Sequence, residues 1–129
     1  MSGIFVDKDD KFDVVVNYLN EKTGIKILEF EKKEGCQSLT VSFKYPDFAT
    51  SQEITRSSVA TTENGPSLDM FKLRANMIYY LAVSWDAKDK DGKSVVFSIE
   101  NINKLQPSVI AYLVNKVQEK IGETGVLLV

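Results

Sequence analysis

The chain has 129 residues, which is the size of one domain and is enough to bury a hydrophobic core. Its 43% hydrophobic and 26% charged residues exclude the low-hydrophobicity, high-charge composition of a disordered chain. The net charge is −2, and only Arg56 and Arg74 of the 16 basic residues are arginines, so the composition argues against a nucleic-acid partner.

The first patterned segment, residues 10–22, fits two interpretations. Its consecutive valines favour a β-strand, whereas its length before Thr23-Gly24 favours a helix. We predict a helix here. Its apolar residues are Phe12, Val14, Val15, Val16, Tyr18 and Leu19.

Residues 25–45 have the pattern of a β-hairpin. Residues 25–30 alternate imperfectly, and a polar stretch with Gly35-Cys36 follows. Apolar side chains then recur at every second position until Pro46 ends the run, as a strand requires. These apolar residues are Leu39, Val41, Phe43 and Tyr45.

Residues 47–65 are rich in Ser, Thr and Ala, and their sizeable apolar side chains are Phe48, Ile54 and Val59. Connections longer than about 12 to 15 residues in a compact domain are often functional or mobile. We predict a flexible arm that contacts a partner. The alternative is a plain surface excursion that contains an edge strand.

The rest of the chain, residues 66–121, has the pattern of helices. Pro66 and Ser67 open a predicted helix, and a turn ending at Asp91-Gly92 leads to residues 94–98, a strand or an extended connector. The predicted core-facing residues of this helix are Phe71, Ala75, Ile78, Leu81 or Ala82, and Trp85.

The end of the chain predicts two further helices and an apolar tail. Ser98 is the predicted N-cap of a short helix, and Pro107 begins a last helix that stops at Gly122. Its predicted core face is Val109, Ile110, Leu113, Val117 and Ile121. Residues 122–129 form the tail, which would dock on the core, add a strand or meet a partner.

These elements predict a single α+β domain over residues 1–129. An N-terminal β-hairpin or small antiparallel sheet packs in it against a C-terminal helical half. The alternation of hydrophobic periods of two and of three to four along the chain is the reason for this fold class.

The residue types argue against catalysis. The chain has no histidine, which removes the commonest general base and zinc ligand, and its single thiol, Cys36, has no imidazole to activate it. No glycine-rich phosphate loop is present. The turn at residues 87–92 resembles a calcium loop but has Ala87 and Ser98 where the first and twelfth ligands belong. We therefore predict a protein that is not an enzyme and has no cofactor or metal.

A lone cysteine and the lack of a basic N-terminal region with a long apolar run predict a reducing compartment. The longest apolar segment, at residues 77–85, is far shorter than the ~20 residues that a membrane-spanning helix needs. We expect no membrane insertion.

One stretch of the chain resembles a known family. Its helix ends in Trp85-Asp86, an acidic Asp91-Gly92-Lys93 turn follows, and the next helix begins near Leu105-Gln106-Pro107. This succession of a helix, an acidic turn and a second helix, over residues 73–86, 89–98 and 102–105, resembles the tail-assembly chaperones of long-tailed bacteriophages. The resemblance covers about the last 60 residues, and the predicted hairpin of the N-terminal half departs from the largely helical members.

The resemblance implies a protein of the host cytoplasm that binds the tape-measure protein and keeps it soluble while the tail assembles. Its partners would be other phage tail proteins, such as tape-measure, tail-tube or baseplate subunits, and a homo-oligomer is possible under this hypothesis. The alternative is a structural tail or baseplate component of the virion. A small enzyme that uses a carboxylate pair is the competing hypothesis from a different class.

A chaperone of this kind requires exposed apolar surface rather than a reactive site, since it acts by burying an apolar helix face. For each candidate contact the alternative is ordinary core or scattered surface apolarity. The candidate contacts are Phe48, Ile54, Tyr112, Leu127, Leu128 and Val129.

Overall fold

The computed structural model describes residues 3–29 and 34–122. Within this part, the chain forms a four-stranded sheet, a two-stranded hairpin and four helices. The elements are β1 (Lys11–Glu21), β2 (Gly24–Leu28), β3 (Gln37–Lys44), α1 (Phe48–Ser57), β4 (Val59–Thr62), β5 (Gly65–Leu68), α2 (Met70–Leu81), β6 (Ala82–Trp85), α3 (Ile99–Ile102) and α4 (Pro107–Ile121).

β1 lies inside the large sheet, whose strand order is β2-β1-β3-β6 with antiparallel neighbours. The helix predicted for residues 10–22 is therefore wrong. Phe12, Val14 and Val16 are buried, and Asp13 and Val15 between them are exposed. This period of two, with its β-branched valines, is the pattern of a half-buried strand, and the segment's length does not outweigh it.

The hairpin predicted over residues 25–45 is wrong in its pairing, although both of its strands exist. β2 pairs with β1, from Glu21↔Gly24 to Asn17↔Leu28, and β3 pairs with the opposite edge of β1. β2 and β3 therefore run parallel to each other on either side of β1. Gly24 has a φ of 148°, which permits the tight turn that gives β2 this local partner.

Residues 47–65, predicted as a flexible arm, contain α1 and β4. The carboxylate of Asp47 accepts a hydrogen bond from the Thr50 N–H at 2.8 Å and so caps the start of α1. Ile54 is fully buried, and α1 packs against α2. The segment is polar in composition because much of α1 faces solvent and only a narrow side of this helix is buried. Of the predicted arm, only the part that belongs to the β4–β5 hairpin extends away from the core.

α2 is shorter than the helix predicted from Pro66 to Trp85. Pro66 belongs to β5, and the helix begins after Asp69, whose carboxylate accepts from the N–H groups of Phe71 and Lys72 at 3.0 and 3.2 Å. It ends at Leu81, and Trp85 lies in β6 opposite Val41 of β3. Residues 82–85, which the helical periodicity assigned to the last turn of the predicted helix, instead form β6 because they pair with β3.

The connector between β6 and α3 is extended. The Trp85 indole N–H donates to the Val95 carbonyl at 2.8 Å, and Lys88 and Ser94 form an isolated bridge. Gly92 has a φ of 78°, which confirms the left-handed residue expected in this turn.

The last two helices confirm the predicted starts. The Ser98 hydroxyl accepts from the Asn101 N–H at 3.1 Å at the start of α3, and Pro107 is the first residue of α4. Gly122 follows the last residue of α4. Caps act on neighbouring residues, so the local sequence is sufficient to predict them.

One hydrophobic core joins the inner face of the large sheet to the helices. The prediction of an α+β fold, with an N-terminal antiparallel sheet and a helical C-terminal half, is confirmed. None of the described helices is long and apolar enough to cross a membrane. The largest fully buried side chains are Phe43, Ile54, Met77, Ile78, Leu81, Ile102, Leu113 and Ile121.

Candidate protein-binding surface

The β4–β5 hairpin projects from the domain between α1 and α2. Its strands pair from Val59↔Leu68 to Thr62↔Gly65, and within the described residues they pair with no other strand. The Thr62 hydroxyl donates to the Gly65 carbonyl at 2.7 Å and closes the turn. An isolated two-stranded hairpin is marginally stable in water, so this one depends on its attachment to the domain.

The attachment is a buried hydrogen-bond cluster at the base of the hairpin. Ser58 is fully buried; its hydroxyl donates to the Ile54 carbonyl at 2.6 Å and accepts from the Asn76 amide at 3.0 Å. The Asp69 N–H donates to the Ser58 carbonyl at 2.8 Å, which closes the base of the hairpin. The base is therefore held by both helices, while the strands extend into solvent.

Exposed apolar side chains surround this base. Val59 and Leu68 are direct cross-strand partners, so their side chains lie on the same face of the hairpin. Met70 and Phe71 come after the N-cap Asp69, in the first turn of α2, and the Phe71 side chain is 81% exposed. We call Val59, Leu68, Met70 and Phe71 the arm patch. Large apolar side chains grouped in this way favour a protein partner.

Phe71 corrects the predicted core face of α2, on which it was placed. The buried residues of this helix include Leu73, Met77 and Leu81, which recur at every fourth position. Phe71 is two residues before Leu73, roughly 200° around the helix axis, and so faces away from this stripe. The spacing of four residues from Leu73 to Met77 and Leu81 was visible in the sequence. The predicted helix, however, began at Pro66, which placed Phe71 in its interior, whereas α2 begins at Met70 and Phe71 lies in its first turn.

The predicted contact residues lie in different environments. Phe48, at the start of α1, is 68% exposed, as a contact residue must be. Ile54 is fully buried in the core, so its predicted role as a contact is wrong: a partner cannot reach it in this fold.

Tyr112 is half-buried against the core, and the Lys116 ammonium lies 5.5 Å from the centroid of its ring. This environment is ordinary for a residue at the edge of a core, and the predicted contact role of Tyr112 stays a prediction. The other predicted contacts, Leu127, Leu128 and Val129, lie outside the described residues.

The carboxylates near the predicted acidic turn have structural partners. One Asp86 oxygen accepts from the Thr40 N–H at 2.7 Å and extends the contact between β6 and β3. One Asp89 oxygen accepts from the N–H groups of Asp91 and Lys93 at 2.9 and 3.0 Å and shapes the turn. No cluster of three or more potential metal ligands occurs in the part of the chain that the structure describes.

Among the described residues, Asp47 is a titratable group on which the surroundings have a clear effect. The hydrogen bonds that Thr50 donates lower the pKa of the Asp47 carboxyl below its ordinary value, and the nearby Lys44 ammonium acts in the same direction. The cause is the N-cap of α1, so this effect belongs to helix stability.

No protein-family model, curated protein or solved structure matches this chain.

Proposed function

We propose that the protein is a phage tail-assembly chaperone, which binds an apolar helical segment of a tape-measure-like partner in the host cytoplasm and keeps it soluble. The observation that carries the proposal is the arm patch, an exposed apolar surface around a firmly attached hairpin. The resemblance of residues 73–86, 89–98 and 102–105 supplies the identity of the partner. Site chemistry is not needed, because covering an apolar helix is itself the activity.

Phe71 is the predicted centre of this contact. Aromatic side chains are enriched at protein interfaces, and burying a phenylalanine fully is worth roughly 1.5 to 3 kcal/mol. Phe48, on the helix that precedes the hairpin, is a second aromatic contact in the proposal. Both side chains are exposed before binding, so their truncation removes contact area without opening a cavity in the core.

The test is co-expression of the chain with the tape-measure protein of the phage that encodes it, followed by measurement of the soluble partner. Phe71→Ser should reduce the soluble, co-purifying partner by about tenfold or more, which corresponds to the loss of a buried aromatic contact. Val96→Ser is the matched control, since Val96 is 75% exposed but lies on the connector before α3. Equal losses for both variants would remove the arm patch from the proposal.

The second candidate function is a structural tail or baseplate component. It is favoured by the outer edge of β4, whose residues Val59–Thr62 carry no charge and no proline. Such an edge can accept a strand from a neighbouring subunit, whereas Pro66 lacks the N–H that the outer edge of β5 would need.

Quantitative mass spectrometry of finished particles and of the lysate from the same cells separates the two functions. A chaperone is present in the lysate with the tape-measure protein and absent from particles. A structural component is present in particles at fixed stoichiometry. Absence from both the particles and the tail-protein fraction would refute the phage assignment.

A further inference from the structure

A second concave site lies where one end of the large sheet meets residues 86–92 and the start of α4. It is an open groove of about 710 Å³, within the usual size range of ligand sites. Its floor is apolar and consists of the buried Val16, Leu39 and Val109 with the half-buried Ile25 and Leu105. We call it the sheet-end groove, and it shares no residue with the arm patch.

The groove is preformed by one contact within a wall and one close approach between walls. The Tyr18 hydroxyl donates to Gln37 Oε1 at 3.1 Å, joining the two strands that form one wall. At Gly24, a Cβ would lie 3.3 Å from Gln106 Oε1, so the β1–β2 turn and the start of α4 approach each other closely. A site whose walls are already in place costs little ordering when a ligand binds.

The rim of the groove carries an unbalanced set of charges. Lys88, Lys90 and Lys104 are exposed there, and no carboxylate of the described residues lies within 4.0 Å of their ammonium groups. The two acidic side chains of the groove, Asp86 and Asp89, each already accept hydrogen bonds from backbone N–H groups. The lining thus has three lysines against two aspartates, and one oxygen of each aspartate is already engaged by backbone N–H groups, so the excess charge of the groove favours an incoming anion.

The start of α4 adds to this preference. Gln106 and Val109 line the groove, and the Gln106 side chain makes no capping hydrogen bond. The positive end of the helix dipole therefore favours a negative group on the same side as the lysines.

We propose that the sheet-end groove binds a peptide segment of a partner protein in which leucine-like side chains stand next to acidic residues. The apolar side chains enter between β1, β3 and α4, and the carboxylates lie against Lys88, Lys90 and Lys104. This inference goes beyond the proposed function, because it places a second partner contact apart from the arm patch.

The probe is a fluorescein-labelled, N-acetylated peptide of sequence Glu-Leu-Leu-Glu-Glu-Leu-Leu, compared with its counterpart in which lysine replaces each glutamate. Fluorescence anisotropy with the full chain should show the acidic peptide binding about tenfold more tightly at about 0.05 M salt. The ratio should approach one at about 1 M salt, where charges are screened within roughly 3 Å.

Two groove variants identify the site. The combined change Lys88→Glu, Lys90→Glu and Lys104→Glu should reverse the preference between the peptides, and Leu105→Ser should weaken binding of both. The control for charge is Lys8→Glu with Lys11→Glu and Lys72→Glu, three exposed positions outside the groove, which should leave the ratio within about twofold of the original.

Three results overturn the proposal. They are equal binding of the two peptides, a charge control that acts as strongly as the groove variant, and no binding of either peptide. If neither binds and the triple variant changes the sedimentation coefficient of the protein alone, the groove is filled by a second copy. If neither binds and sedimentation is unchanged, the chain itself covers the groove. Partner capture by the arm patch is measured separately, so either failure leaves the proposed function standing.

Discussion

Ile54 and Phe48 lie on the same helix, and the sequence placed both at a partner interface. In the structure Ile54 is fully buried, and Phe48 is 68% exposed. Ile54→Ala removes three carbon atoms, worth about 0.8 kcal/mol each in transfer free energy, and leaves a cavity in addition. The expected loss in the free energy of unfolding is about 2 to 5 kcal/mol. Phe48→Ala should change it by at most about 0.5 kcal/mol, as for other surface substitutions.

Urea unfolding followed by far-ultraviolet circular dichroism measures both effects. With a slope of roughly 2 kcal/mol per molar urea, Ile54→Ala should lower the midpoint by about 1 to 2.5 M. Ile54→Val, which removes one carbon atom, should cost about 0.5 to 1.5 kcal/mol and serves as the graded control. A midpoint for Ile54→Ala within about 0.3 M of the Phe48→Ala midpoint would refute the placement of α1 against the core.

Three further predictions concern the base of the β4–β5 hairpin, the N-cap of α1 and the turn between β1 and β2. Ser58→Ala should lower the free energy of unfolding by about 1 to 3 kcal/mol, because it removes the buried hydroxyl that bonds Asn76; urea unfolding measures the loss. Asp47→Asn keeps a capping oxygen but removes the carboxylate charge. The wild type should be more stable than this variant above the ordinary carboxyl pKa of 3.8, and it should lose this advantage as the pH falls through the lowered pKa of Asp47. Thermal melts across the acidic pH range measure this difference. Gly24→Ala should cost about 1 kcal/mol or more in the same urea assay, because the φ of 148° is strained for alanine and its Cβ would crowd Gln106.

Specific results would contradict these three expectations. A Ser58→Ala variant with wild-type stability would show that the hairpin base does not need its buried hydroxyl. A constant difference between the wild type and Asp47→Asn across the acidic range would show that the cap does not depend on the carboxylate charge. An unchanged midpoint for Gly24→Ala would mean that the turn between β1 and β2 has a different backbone conformation.

The sequence by itself determined the fold class and the features that depend on near neighbours. Ser98 caps α3, Pro107 begins α4 and Gly92 has a positive φ, as predicted. Each is decided by the geometry of a few consecutive residues. The apolar stripe of α4 is also local, because its period is set by the helix itself.

Only the tertiary structure decided which strands pair and which apolar side chains remain outside. The period of two in β1 was readable from Phe12, Val14 and Val16, but the choice between strand and helix depended on the partner strands β2 and β3. Phe71 was expected in the core and is exposed, and Ile54 was expected at a partner interface and is buried. Apolar residues of similar character become core or surface according to what packs against them, and that neighbour is distant in the sequence.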